Sequence, residues 1–189
     1  MIIDTDQLIE IRWHGRGGQG AVTSAELLAQ AAINEGKYAS AFPSFGPERR
    51  GAPVLAFVRI SNKQLRIRAG ITEPDVVVVL DPSLLRIMDV TSGLKDGGIL
   101  VVNTTKSPEE IRSQFGIRCR LATIDAIKIA RELLGVPITN TTMVGALIKA
   151  TDVVRLESVV EPLRRRFGRL AERNINAMKR AYEETIVKE

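Results

Sequence analysis

Leu8-Ile9-Glu10-Ile11-Arg12-Trp13-His14 runs directly into Gly15-Arg16-Gly17-Gly18-Gln19-Gly20, and that turn opens onto the stretch Ala21–Asn34. The first segment alternates apolar and polar residues as a strand does. In the third, Ala21, Val22, Ala25, Leu28, Ala29, Ala32 and Ile33 recur at helical spacing. Strand, glycine turn and helix in this order make a cradle for phosphate. Glycines let the backbone turn tightly and approach an anion, and the first N–H groups of the helix point at it. The alanines on the helix face let it sit close against a sheet, and Gly36 is placed to end the helix in a left-handed conformation.

Strand and helix signals continue to alternate downstream. Tyr38–Phe42 reads as a second strand, and Pro43 to Pro53 as a loop rich in proline, glycine and arginine. Pro53–Ile60 and Gln64–Arg68 flank Ser61-Asn62-Lys63 and read as a hairpin. Asp75–Leu80 is a continuous valine-rich run, the pattern of a strand buried on both faces. Gly97–Asn103 repeats it, Ser107-Pro108-Glu109-Glu110 is a strong helix start, and Ile117–Ala122 is a further strand. A helix is expected over Thr123–Leu134, stopped by Gly135, and then three more over Thr141–Thr151, Arg155–Phe167 and Leu170–Glu183. The sum is an α/β chain with a Rossmann-like, open, mostly parallel sheet, a hairpin insertion and a C-terminal helical region. One domain is expected over residues 1–189, with an α/β core at about 9–135 and helices at about 140–186.

Composition narrows the chemistry. Of 189 residues, one is cysteine (Cys119) and one is histidine (His14). A disulfide within the chain is excluded, and a self-contained iron–sulfur cluster, a zinc site or a Ser-His-Asp triad lacks material. We expect no metal site and no catalytic residue in this chain. Lys and Arg outnumber Asp and Glu by 27 to 22, which suits phosphorylated cofactors or acidic partners. Aromatic residues make up only 4% and no basic run exceeds Arg164-Arg165-Arg166, so no nucleic-acid partner is expected. No apolar run approaches the roughly 18 residues a membrane span needs, and the N-terminus lacks the pattern of a secretory signal. No membrane association and a cytoplasmic location are therefore expected.

Which phosphate the turn takes depends on what is missing. An NAD site has an acid at the end of the second strand to hold the ribose, and here that strand ends Phe42-Pro43-Ser44. Glu35 has the right spacing from Gly15 but falls at the helix end beside Gly36. A different phosphate ligand fits better, with Gly15, Arg16, Gly17, Gly18, Gln19 and Gly20 as candidate binding residues. Arg49 and Arg50, in Ser44-Phe45-Gly46-Pro47-Glu48-Arg49-Arg50-Gly51, add fixed charge suited to phosphate or to a neighbouring subunit, and the residues leave both open. His14 reads as a hydrogen-bonded imidazole at the strand end, and Cys119 as a core thiol between outward-facing Arg118 and Arg120. Asp81 reads best as a cap for the next helix. Asn140-Thr141-Thr142-Met143-Val144-Gly145-Ala146 reads either as a capped helix start or as a close-packing surface against another subunit.

Three motifs in order, Ile11–Gly20, Phe42–Pro53 and Pro74–Asp81, together with Asn140–Ala146, resemble the gamma subunit of 2-oxoacid:ferredoxin oxidoreductases. The likeness is greatest to the pyruvate:ferredoxin oxidoreductase (pyruvate synthase) gamma group, which includes chains shared with the 2-ketoisovalerate enzyme. Arg50-Gly51 matches the family's Arg-Gly step, whereas Arg49 and Ala52 depart from its pattern. The resemblance implies an enzyme that converts pyruvate and coenzyme A to acetyl-CoA and carbon dioxide and passes two electrons to ferredoxin. It implies thiamine diphosphate and 4Fe-4S clusters on partner alpha, beta and delta subunits, none of them on this chain alone. It gives the gamma chain a part in coenzyme A binding and in assembly.

Overall fold

The computed structural model describes residues 8–44, 51–67 and 69–189. Strands and helices follow one another as β1 (Ile9–Arg16), α1 (Ala21–Asn34), β2 (Tyr38–Pro43), β3 (Pro53–Ser61), β4 (Val76–Val79) and α2 (Leu84–Ile87). Then come β5 (Ile99–Asn103), α3 (Pro108–Phe115), β6 (Arg120–Ile124), α4 (Ala126–Leu134), α5 (Asn140–Thr151), α6 (Val160–Phe167), α7 (Ala171–Glu184) and β7 (Ile186–Lys188). The strands form a seven-stranded sheet in the order β2-β3-β1-β4-β5-β6-β7. β1, β4, β5 and β6 are parallel, β3 runs antiparallel between β2 and β1, and β7 runs antiparallel on the far edge. The expected α/β architecture and C-terminal helices are present.

Alternation along the strands divides the interior in two. Ile9, Ile11 and Trp13 of β1, with Val76 and Val78 of β4, pack with α1, α4, α5 and α7 on one face. Val77, Val79, Leu100, Val102 and Leu121 point the other way and meet Leu84 of α2 and Ile111 of α3. All four valines of β4 are fully buried, as a central strand covered on both faces requires. The Ser107 start expected for α3 is a reciprocal capping box: Ser107 Oγ accepts from Glu110 N–H at 3.2 Å, and Glu110 Oε2 accepts from Ser107 N–H at 2.8 Å.

Several expectations change. Residues 64–67 form no strand, so the hairpin of 53–60 with 64–68 is not made; Arg68 lies outside the described residues. The antiparallel partner of β3 is β2, and its other edge is taken by β1 along its whole length. With both edges bonded, β3 has no backbone groups left for a third strand. β6 begins at Arg120 rather than Ile117 and runs to Ile124, since Asp125 Oδ1 accepts from Lys128 N–H at 3.0 Å and starts α4 only there. Cys119 therefore precedes the strand instead of alternating within it, and it is half-buried at the margin of the smaller core. The expected helix over 155–167 opens with a short 3-10 turn before α6, and β7 was not anticipated.

α5 is almost wholly buried and lies beside α7 in the same direction. Thr141 Oγ1 donates to Asn174 Oδ1 at 2.9 Å, and four residues further along both helices Gly145 faces the backbone of Met178. The close helix contact expected of Gly145 is thus made within the chain, against α7.

Candidate functional site

The glycine turn lies at the carboxyl end of β1, where the sheet changes direction. β2 and β3 lie to one side of β1, and the parallel series β4-β5-β6 lies to the other. α1 packs on the larger core and α2 and α3 on the smaller, so the connections that leave β1 and β4 turn to opposite faces of the sheet. Open α/β sheets bind ligands at such a switch point.

Backbone geometry explains the glycines. Gln19 N–H donates to Arg16 O at 3.0 Å to close the turn, and Gly18 and Gly20 take φ of 91° and 82°. Both values belong to the left-handed region that glycine enters without strain. A Cβ on Gly20 would also lie 2.9 Å from Asn140, because the first turn of α1 rests on the first turn of α5. Ser24 Oγ joins the two, donating toward Gly20 O and Asn140 O. Among the described residues no side chain caps the N-terminus of α1. Its leading N–H groups and the positive end of its dipole lie at the carboxyl edge of the sheet, which is what an anion requires.

The polar side chains of the turn have internal partners. Gln19 Oε1 accepts from Arg16 N–H at 2.7 Å, and Gln19 Nε2 donates to Asp81 Oδ2 at 2.9 Å. Arg16 donates to Asp81 Oδ2 from Nε at 3.1 Å, to Gly51 O from Nη1 at 3.0 Å and to Ser83 Oγ from Nη2 at 2.8 Å. Asp81 Oδ1 accepts from Ser83 N–H, but α2 starts from Ser83 without a side-chain cap bond, so the helix cap expected of Asp81 is not made; its other oxygen braces the glycine turn. Burial pushes the Asp81 carboxyl up; bonds from Ser83 and Gln19 and the Arg16 charge outweigh that and hold it below the ordinary value. Arg16 is thus neutralised within the chain, and what the turn offers a ligand is backbone N–H.

Gly15, Arg16, Gly17, Gly18, Gln19 and Gly20 therefore lie together at the end of β1 and in the turn between β1 and α1. Arg49 and Arg50 lie outside the described residues. The chain on either side of them is anchored at the same edge: Ser44 N–H donates to Leu55 O, and Gly17 N–H donates to Ala52 O. Glu35, the acid with NAD-like spacing, is engaged elsewhere, accepting from Arg155 N–H at 2.6 Å and Ser158 Oγ at 2.7 Å and pairing with Lys37.

His14 is buried on the face of β1 opposite Trp13. Arg12 Nε donates to its Nε2 at 3.0 Å, which puts the ring proton on Nδ1, and Nδ1 has no partner among the described residues. Burial first, and the Arg12 charge second, push its pKa down to about 4. It is neutral at physiological pH and forms the hydrogen bond expected of a strand-end imidazole. Asn103 was not singled out in the sequence. Its Nδ2 donates to Leu80 O at 2.8 Å and its Oδ1 accepts from Ala126 N–H at 3.1 Å, locking the end of β4 to the start of α4. Its one signal is position, a polar residue closing an apolar run. Among the described residues no cluster of His, Cys, Asp and Glu could hold a metal, and no helix is long and apolar enough to cross a membrane.

Residues 10–184 match the pyruvate ferredoxin/flavodoxin oxidoreductase family. The chain is 59% identical to the pyruvate/ketoisovalerate oxidoreductases common subunit gamma of Thermococcus kodakarensis, over 96% of this chain and all of that one. It is 49% identical to the pyruvate synthase subunit PorC of Methanocaldococcus jannaschii, over 96% and 99% of the two chains. The crystal structure of pyruvate oxidoreductase subunit PORC from Thermotoga maritima has the same fold, with a TM-score of 0.86 at 40% identity over 97% of this chain and 99% of that one. The chain belongs to the pyruvate ferredoxin/flavodoxin oxidoreductase family, as a gamma-type subunit of a 2-oxoacid:ferredoxin oxidoreductase.

Proposed function

We propose that this subunit holds the phosphates of coenzyme A at the glycine turn, beside a thiamine diphosphate site built by partner alpha and beta subunits. A delta subunit completes the cytoplasmic complex, and ferredoxin accepts its electrons. The observation that carries the reading is the N-terminus of α1, without a side-chain cap among the described residues and reached through a turn with two left-handed glycines. A diphosphate suits it, because backbone N–H groups bind phosphate oxygens without bringing a further charge to be neutralised. A structure of 2-oxoglutarate:ferredoxin oxidoreductase from Magnetococcus marinus, whose fold is similar over part of its chain, contains coenzyme A and succinyl-CoA. The relatives from Thermococcus are named as common to pyruvate and ketoisovalerate enzymes, which favours the same double service here.

In this reading the subunit contributes no reacting group. Its one histidine is neutral and hydrogen-bonded to Arg12, and its one thiol is half-buried with its pKa pushed up by desolvation. Its task is to bind and orient the coenzyme so that the thiol reaches acyl chemistry on other chains. Kinetics of the assembled complex carrying Gly18→Asp or Arg50→Ala test this. A raised KM for coenzyme A is expected, and an unchanged KM in both variants, with assembly intact, overturns it.

A second reading rests on the engagement of Arg16 and Gln19 by Asp81. A turn so braced also serves as a rigid docking element, and the chain is then a non-catalytic assembly module. Cross-linking of the Arg49-Arg50 loop to a partner subunit, without protection by coenzyme A, supports that alternative.

A further inference from the structure

A crevice lies along the carboxyl ends of β4, β5 and β6, next to the glycine turn. It begins at Pro82 and Ser83, the latter bonded to Arg16, and extends to α4. Its volume of about 620 Å³ is within the usual range for small-molecule sites. Leu85, Ile111, Phe115 and Ile127 give it apolar walls. Asn103 stiffens the floor, with both ends of its amide already bonded.

The charges around this crevice are unequal. Arg86, Lys128 and Arg131 line it, are exposed, and have no hydrogen-bond or ion-pair partner among the described residues. Lys106 also lines it and donates to Gln114. The two carboxylates at its margin are committed: Asp125 caps the start of α4, and Glu132 pairs with Arg180. The result is a cleft with apolar walls and three unpartnered cations, Arg86 on α2 and Lys128 and Arg131 on α4. Arg and Lys with this freedom suit a phosphomonoester dianion, and an apolar wall suits a nucleobase.

We infer that the crevice between α2, α3 and α4 binds the phosphomonoester of an adenine nucleotide, with Lys128 and Arg131 on the phosphate and Phe115 against the base. Two sources share that chemistry: the ribose phosphate of coenzyme A and a free nucleotide. Assignment to the coenzyme rests on the reading proposed above; the crevice itself does not.

The test uses the assembled oxidoreductase carrying Lys128→Gln and Arg131→Gln together. Neither side chain makes a contact that folding needs. Adenosine bisphosphate, phosphorylated on both the ribose 3′ and 5′ oxygens, is the direct probe by calorimetry. Coenzyme A and dephospho-coenzyme A, which lacks the ribose phosphate, are compared as substrates. The double variant is expected to bind the probe about tenfold or more weakly. Its KM for coenzyme A is expected to rise by a similar factor, with KM for dephospho-coenzyme A unchanged. Weaker probe binding with an unchanged KM for coenzyme A assigns the crevice to a free nucleotide. Unchanged probe affinity overturns the inference, as does dissociation of the complex, which would make the crevice a subunit contact. Gly18→Asp and Arg50→Ala separate the two ideas: if both leave KM unaltered while the Lys128/Arg131 double variant raises it, the glycine-turn reading fails and this one stands.

Discussion

Arg16 donates from Nε to Asp81 Oδ2 at 3.1 Å, tying the end of β1 to the chain just beyond β4, and Gln19 donates to the same oxygen at 2.9 Å. One carboxylate thereby sets the conformation of a turn from the neighbouring strand. Asp81→Ala leaves both donors without their acceptor and is expected to destabilise the chain by about 2 kcal/mol. The Asp81 pKa is lowered on folding, so its contribution is present above the ordinary aspartate range, about 3.9, and is lost as pH falls through the folded value. Hydrogen exchange at the amides of Gly17 to Ala21 should quicken in the variant. Equal exchange rates and an unchanged acid limb of unfolding would show that the turn holds itself.

His14 gives a pH dependence of the opposite extent but similar sign. Its pKa falls from 6.5 to about 4 on folding. Above 6.5 the ring is neutral in both states and the fold keeps its full stability. As pH drops from 6.5 toward 4, the unfolded chain takes up a proton that the buried ring refuses, so stability is lost across that window. Between pH 7 and pH 5 this residue accounts for a loss of about 2 kcal/mol. His14→Gln retains an acceptor for Arg12 Nε but cannot titrate. Urea unfolding at the two pH values should therefore show a shallower loss in the variant. The same slope in both proteins would place the titration elsewhere.

Where the sequence was readable, local physics decided the outcome. Val76–Val79 reads as a doubly covered strand because four consecutive β-branched residues have no other use. The glycine turn was legible because its backbone demands are local, and Ser107 because its capping partner is three residues away. What could not be read depends on distant partners. β7 is three residues paired to β6 across more than sixty positions, with no periodicity of its own. Residues 64–67 have a passable strand pattern, but both edges of β3 were already taken. Asp81 reads as a helix cap, but one oxygen only closes a turn with Ser83 N–H, ahead of α2. Its second oxygen serves Arg16 and Gln19, and no spacing rule links residues more than sixty apart. Asn103 was passed over for the same reason: its two partners lie 23 residues away on either side.

Ser107 offers a test confined to one helix end. Its hydroxyl accepts the N–H of Glu110, and Ser107→Ala removes that bond from the start of α3. The expected loss is about 1 kcal/mol, a fall in melting temperature of roughly 2–4 °C for a chain of this size. α3 packs Ile111 on the smaller core, away from the glycine turn, so hydrogen exchange at the amides of Gly17 to Ala21 should not change. Faster exchange there would mean that the two ends of the carboxyl edge are coupled.

Three glycines separate conformational strain from steric overlap. Gly18 has φ of 91° and nothing within 4 Å of a notional Cβ, so Gly18→Ala meets only the left-handed penalty, about 1 kcal/mol. Gly20 has φ of 82° and Asn140 at 2.9 Å, so strain and contact add in Gly20→Ala. Gly145 is helical, without left-handed strain, but an added Cβ would overlap the Met178 carbonyl oxygen, which belongs to the α7 backbone and cannot rotate aside. Moving α7 away from α5 would also stretch the Thr141–Asn174 bond. Overpacking of this kind costs about 3 kcal/mol or more. Melting temperatures should therefore fall in the order Gly18→Ala, Gly20→Ala, Gly145→Ala, with the last the most damaging. If Gly145→Ala proves the mildest of the three, α5 and α7 do not pack as closely as Gly145 and Met178 require.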